Sequence, residues 1–345
     1  FPIIEIDFLR DVVKKQPLMK RPECLAYISE AWEHKALIAS GRNGITDSPR
    51  VQSRRKFREF VKFRVLEGHS DAVSALATVG DKLVSGSWDS SIKVWNTQTW
   101  LCEVSMLYHT GTVRCLLECE SVLVSGSDDG TIKIWDTTSW DILNTLEDHA
   151  EPVNALVLCS GRLASGADDG TIKLWNISSW LCEFTIHHGV HMCGVLALAV
   201  CGDKLVSGSD EKNIKVWDTQ SWTCVKILED HSDEIWNLLC SNGYLISGSV
   251  DNDLRVWDTS NWECVSVMSN HNAPINAITI LDGNLISTSA DETVRVWDSE
   301  WNCVQVLTHG NIWSLTTLSC KVPGKDEQSF LVSGSLDSTI KVWGP

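Results

Sequence analysis

Apolar residues along this chain come in short runs, and the same polar punctuation separates them each time. A Ser-Gly-Ser run leads to an acidic turn, a short apolar strand and a Trp. The clearest copy is Leu123-Val124-Ser125-Gly126-Ser127-Asp128-Asp129-Gly130-Thr131-Ile132-Lys133-Ile134-Trp135-Asp136. Val61-Lys62-Phe63-Arg64-Val65-Leu66 alternates apolar and charged residues, which predicts a strand with one face buried. Only the first part of the chain reads differently. There Ile6, Phe8, Leu9 and Val12 suit a short helix, and Leu25, Ile28 and Trp32 keep helical spacing behind Pro22, up to Gly41 and Gly44.

The terminal Trp recurs at Trp95, Trp135, Trp175, Trp217, Trp257, Trp297 and Trp343, with spacings of 40, 40, 42, 40, 40 and 46 residues. That is the period of a four-stranded propeller blade. Each copy has a His upstream: His69, His109, His149, His191, His231, His271 and His309. The His-to-Trp distance is 26 residues in the first six copies and 34 in the seventh. This pattern resembles the WD40 repeat family from about residue 60 to the C-terminus. The resemblance implies an all-β, seven-bladed propeller over 59–345. Residues 61–66 precede Gly68-His69 as Cys303 to Leu307 precede His309, and the chain stops two residues after Trp343. The strand at 61–66 is therefore expected to be the fourth strand of the last blade, closing the ring and removing an exposed edge.

In the family a His, a strand Ser, a turn Asp and the Trp form a buried hydrogen-bonded set. The matching Ser residues are Ser85, Ser125, Ser165, Ser207, Ser247, Ser287 and Ser333, and the acids are Asp89, Asp129, Asp169, Asp251, Asp291 and Asp337. Blade four departs, with Glu211 at the turn. An indole N–H only donates and needs an acceptor when buried, while a His can relay between carboxylate and hydroxyl. A Ser-His-Asp set repeated in every blade is an architectural device, so it names no catalytic residue. A second Trp recurs at Trp100, Trp140, Trp180, Trp222, Trp262 and Trp301, and is expected to pack at the start of each outer strand.

Functional residues in a repeat protein are those that break the pattern. By the resemblance, two repeat positions line the top entrance of the ring. Five residues after the His stand Ser74, Arg114, Asn154, Leu196, Trp236, Asn276 and, shifted by one, Trp313. Just before the turn acid stand Trp88, Asp128, Asp168, Asp210, Val250, Ala290 and Leu336. Three residues after the His stand Thr112, Pro152, Glu234 and Pro274. Trp88, Trp236 and Trp313 are extra to the repeat and are expected to anchor a partner. Asp128, Asp168, Asp210 and Glu234 add negative charge, with Arg114 as the one cation in these sets. A phosphate reader needs several converging Arg residues. This face suits an Arg or Lys side chain instead, stacked on indole and paired with carboxylate. Asn154, Asn276 and Leu336 complete the candidate site.

Residues 1–42 are similar to the end of the BACK domain of Kelch-like proteins, through Phe1-Pro2, Phe8-Leu9, Pro17-Leu18, Pro22-Glu23-Cys24 and Glu30-Ala31, followed by Ser48-Pro49-Arg50 and Arg54-Arg55-Lys56 in a basic linker at 43–58. Kelch-like proteins continue into Kelch blades, whereas this chain continues into WD40-like ones. The resemblance implies a BTB domain further upstream, dimerisation through it, and a role as substrate receptor bridging a cullin-RING ubiquitin ligase to a protein partner. A signalling or trafficking scaffold is the alternative. The chain opens at Phe1 with neither Met nor a signal sequence, so a preceding segment is expected.

Composition narrows the partners. A formal net charge of -16 argues against nucleic acid or an anionic membrane as the main partner. The 13 Cys show no CxxC or His/Cys ligand spacing, so no metal is implied. Cys102, Cys182, Cys224, Cys264 and Cys303 each lie two residues after a second Trp. The cysteines are expected to be reduced thiols filling strands, which points to cytoplasm or nucleus. With no Gly-rich phosphate loop and no odd carboxylate pair, neither an enzyme nor a cofactor is expected.

Overall fold

The computed structural model describes residues 61–186, 194–308, 310–321 and 327–344. The expected N-terminal helices, the BACK-like segment and the basic linker lie outside the described residues, as do His191 and His309. Among the described residues there is no helix, and twenty-eight strands form seven four-stranded antiparallel sheets. Blades one to six take residues 73–106, 113–146, 153–186, 195–228, 235–268 and 275–308 in simple up-and-down order. Blade seven takes Ile312–Lys321, Glu327–Ser335 and Ile340–Gly344, and its outer strand is Val61–Leu66. That strand pairs antiparallel with the last one, from Val61 opposite Gly344 to Leu66 opposite Ile340. The extra residues of blade seven are partly absorbed by lengthening its first hairpin, where Lys321 pairs with Glu327.

The first strands of neighbouring blades contact one another and so surround the axis. Hydrophobic burial happens between blades. Val84, Ile92 and Met106 of blade one pack with Val113, Leu123 and Trp135 of blade two. Leu318, Phe330 and Val342 of blade seven pack with Val73, Leu83 and Trp95 of blade one. The Gly of the Ser-Gly-Ser run permits this close approach. A Cβ on Gly86 would lie 2.5 Å from Val113 Cγ1, and one on Gly334 would lie 2.7 Å from Val73 Cγ1 across the ring's seam. Blade six carries the buried Thr288 at that position. At the seam, Phe63 of the closing strand meets Phe330 at 5.5 Å and Trp100 at 6.0 Å between ring centroids.

The repeated polar residues form one chain of hydrogen bonds. In blade one the Trp95 indole donates to Ser85 Oγ at 2.8 Å, Ser85 Oγ meets His69 Nε2 at 2.7 Å, and His69 Nδ1 meets Asp89 Oδ2 at 3.0 Å. The indole can only donate, so the Ser hydroxyl accepts from it and donates a hydrogen bond to Nε2, and the neutral ring donates from Nδ1 to the carboxylate. The same set recurs around His109, His149, His231 and His271. Burial pushes His69 below its ordinary value near 6.5, outweighing the Asp89 carboxylate, and His271 behaves likewise beside Asp291. Burial would raise the Asp89 carboxyl, but hydrogen bonds from the Ser91 hydroxyl and the Ser70 N–H outweigh it and hold the group at about 2.

Blade four departs where its sequence does. Trp217 still donates to Ser207 Oγ at 2.8 Å, while Glu211 Oε2 lies 3.4 Å from the Nζ of the buried Lys215. Blade seven has the same acid-to-Lys arrangement, Asp337 to Lys341 at 2.5 Å. The second Trp packs as expected, with one feature the pattern did not announce. Trp100, Trp140, Trp180, Trp222, Trp262 and Trp301 all sit at positive φ, between 55° and 65°, in the turn before the outer strand. A bulky residue rarely adopts this conformation, and it persists here because packing against the blade cores holds the ring.

One expectation is overturned. The cysteines are not all free thiols, since Cys201 at the end of the first strand of blade four forms a disulfide with Cys240 in the first strand of blade five. The two Cα atoms are 5.5 Å apart, because equivalent strands of adjacent blades run side by side around the axis.

Two outcomes are expected from this architecture. Leu66 is 4% exposed and Val61 63% exposed on the same closing strand. Leu66→Asp should cost about 2–4 kcal/mol in urea unfolding and Val61→Asp less than about 0.5 kcal/mol. Equal losses would contradict the closure. Because folded His69 and His271 hold protons more weakly than the unfolded chain, their contribution is full above pH 6.5 and shrinks as pH falls below it. A second loss follows below pH 3.8 as Asp89 and Asp291, held at about 2, take up protons. Urea midpoints at pH 7.5, 5.5 and 3 check both steps.

Candidate functional site

The residues that break the repeat come together where the first strands begin, at the face carrying the loops that precede them. A cavity of about 530 Å³ opens there, lined by Ser74, Trp88, Thr112, Arg114, Asp128, Asn154, Asp168, Leu196, Glu234, Trp236, Asn276 and Trp313. This volume falls in the range of small-ligand and side-chain sites. The whole set five residues after the His lines it. Of the eleven candidate residues, Asp210 and Leu336 are not among the lining ones. Asp210 turns its Oδ2 to the Gly194 N–H at 3.2 Å, and Leu336 is 37% exposed.

Antiparallel pairing explains the convergence. A bulge in each first hairpin, as between Val153 and Ala155, frees the residue between, here Asn154, to line the cavity. The residue before each turn acid is fixed by a backbone bond across the same loop, such as Trp88 N–H to Ala72 O at 2.9 Å and Asp128 N–H to Thr112 O at 2.9 Å.

The three extra Trp residues form one continuous cluster. Trp236 stacks on Trp313 with centroids 5.9 Å apart and planes 29° from parallel, and Trp88 meets Trp313 edge-on at 5.5 Å and 71°. Trp88 is 42% exposed, while Trp236 and Trp313 are half-buried. Trp236 Nε1 donates to Glu234 Oε2 at 2.9 Å, which holds a carboxylate at the edge of the stack.

The polar arc opposite is less uniform than its sequence. Arg114 is spent in an ion pair with Asp128. Asn154 Nδ2 donates to Asp168 Oδ1 at 2.6 Å and to the Val195 carbonyl of the next blade at 3.1 Å. Asn276 is a buried tie between blades, donating to Ile312 O and Asn311 Oδ1, each at 2.8 Å. Ser74 does the same for Val113 O at 2.6 Å. Asn154, Asn276 and Ser74 thus serve the ring as well as the cavity, a double role that a repeat position alone does not reveal. Burial raises the Asp210 carboxyl, the Gly194 N–H opposes that, and the Glu234 and Asp168 carboxylates add to it. Among the described residues, no group of three or more His, Cys, Asp or Glu side chains could hold a metal.

Three comparisons bear on this geometry. A family model described as WD domain, G-beta repeat matches residues 60–96, 101–136, 140–176, 181–218, 222–258, 262–298 and 301–344. The crystal structure of the WD40 beta propeller domain of Doa1 superposes with a TM-score of 0.73 at 24% identity, covering 84% of this chain and 97% of that one, which shows the fold alone. The chain is 41% identical over 56 residues to the WD repeat-containing protein pop1 of Schizosaccharomyces pombe, covering 16% of this chain and 7% of pop1. It is 50% identical over 44 residues to pop2 of the same organism, covering 13% and 6%. The matches therefore span less than a tenth of these relatives.

Framework and site separate in a stability measurement. Trp217→Ala removes a buried indole and should cost about 3–5 kcal/mol. Trp236→Ala loses one half-exposed stack and should cost about 1 kcal/mol. Thermal unfolding of the two variants checks the division, and equal losses would contradict it.

Proposed function

On the premise that this chain belongs to the WD40 repeat family, we propose that it recognises a segment of a partner protein carrying a basic side chain, bound in the cavity of the three Trp residues. Propellers of this family are protein-interaction modules. The observation that carries the reading is the convergence of Trp88, Trp236 and Trp313, all outside the repeat pattern, on one concave site beside Glu234 and Asp168. Amphipathic indoles clustered in a cavity are typical anchors for a partner. A carboxylate beside them favours a cation. The role of the site is binding; the repeated Ser, His and Asp groups are engaged with one another in the framework.

The intact protein would use this recognition as the substrate receptor of a cullin-RING ubiquitin ligase, holding a partner's lysine near a charged ubiquitin carrier. Support comes from the resemblance of residues 1–42 to the BACK domain. In that case full-length protein should co-precipitate a cullin. Partner recovery without any cullin would favour a signalling or trafficking scaffold instead.

Affinity capture from cells tests the recognition surface. The Trp88→Ala, Trp236→Ala, Trp313→Ala triple variant should lose the partners that wild type retains while still unfolding in one cooperative transition. Recovery of the same proteins by both would place the binding face elsewhere.

A further inference from the structure

The equivalent positions of blades two, three and four offer three versions of one arrangement, a residue five after the His facing the residue before the turn acid. In blade two a guanidinium fills it, Arg114 against Asp128. In blade three an amide fills it, Asn154 against Asp168 at 2.6 Å. In blade four the facing residue is the apolar Leu196, and Asp210 Oδ1 is buried without a hydrogen-bond partner. In blade five Trp236 occupies the position and donates its indole N–H to Glu234. Among the described residues, Asp168, Asp210 and Glu234 form no ion pair. Negative charge without a matching cation is therefore concentrated along blades three to five.

The far wall holds a buried amide tied to the next blade. Asn276 is 8% exposed and lines the cavity, with both its Nδ2 bonds directed into blade seven and its Oδ1 accepting none. Trp236 and Trp313 flank it on blades five and seven and stack at 5.9 Å, giving a flat indole surface beside these acceptors. One ligand group answers the whole set. A guanidinium is planar, stacks on aromatic faces, is weakly hydrated and carries five N–H donors in a fork that can reach several acceptors at once. An ammonium is a strongly hydrated point charge with three donors and no plane to stack, and a trimethylated one has no donor at all.

We propose that the cavity is selective for an arginine of the partner, its guanidinium laid against the Trp236–Trp313 pair and donating to Glu234. The inference rests on the recognition reading given above and narrows it from a basic side chain to one chemical group. It also gives Glu234 the counter-charge that Arg114 already gives Asp128 in blade two.

The test uses the full chain and immobilised peptide pools of random uncharged sequence, each with one central Arg, Lys, trimethyl-Lys or citrulline. Retention of the Arg pool about tenfold or more above the other three, with the gain abolished by Glu234→Gln and by Trp313→Ala, is the expected result. Glu234→Gln removes the charge and keeps an acceptor for Trp236, so its unfolding midpoint should stay with that of wild type. Equal or stronger retention of the Lys or trimethyl-Lys pool would overturn arginine selectivity and leave the basic-side-chain reading standing. Equal retention of the citrulline pool, or no retention of any pool, would overturn both. Arg retention that survives both variants would also overturn the proposal, by placing arginine away from this wall.

Discussion

Each blade buries an indole whose N–H can only donate, and the rest of the blade is arranged to receive it. In blades one, two, three, five and six the donor is met by a strand Ser, whose hydroxyl is met by a His, whose other nitrogen is met by a turn Asp. Leaving such a group unpaired in the interior costs about 1–3 kcal/mol, more than a satisfied bond contributes. The four residues are therefore coupled, and together they tie the second strand, the third strand and two loops of one blade. The last member also fixes the turn. Asp129 accepts from the Thr110 and Thr131 backbone N–H groups, which holds in place the residue just before it, Asp128. The framework reaches the cavity by that single peptide step, and the same step connects Asp89 to Trp88 and Asp169 to Asp168.

Between blades the constraint is steric. The absent side chain of Gly86, Gly126 or Gly166 is replaced by a Val of the next first strand, so neighbouring sheets approach more closely than two Cβ-bearing surfaces could. The polar ties of Ser74, Asn154 and Asn276 to the next blade's backbone lie on the axial side of the same contacts. Near the other end of the first strands, Cys201 and Cys240 join blades four and five covalently. The ring closes by hydrogen bonding of Val61–Leu66 to the last strand, with Phe63, Phe330 and Trp100 clustered over the seam.

Freedom to vary is confined to positions that the framework holds without using. Trp236 and Trp313 lie where other blades carry Ser, Asn, Arg or Leu, and Trp88 lies where others carry Asp, Val, Ala or Leu. Because the rigid blades present these positions around one axis, residues more than two hundred apart in sequence form a single aromatic cluster, as Trp88 and Trp313 do. Charge is distributed by the same logic. Asp128 is neutralised within its own blade, whereas among the described residues Asp168 and Glu234 line the cavity without an ion pair.

The period of the Trp residues determined the blades, their number and order, because a repeat that buries the same donor each time must rebuild the same hairpins around it. The alternation of Val61 to Leu66 marked a strand with one buried face, and the residues outside the pattern marked which positions line the entrance. The sequence could not say how those residues meet. That Trp236 stacks on Trp313, that Arg114 is already occupied by Asp128, and that Asn276 is tied to blade seven depend on distances across blades, which no local pattern encodes. The pairing of Cys201 with Cys240 was hidden for the same reason: a separation of 39 residues becomes a 5.5 Å step only once the strands stand side by side around the axis.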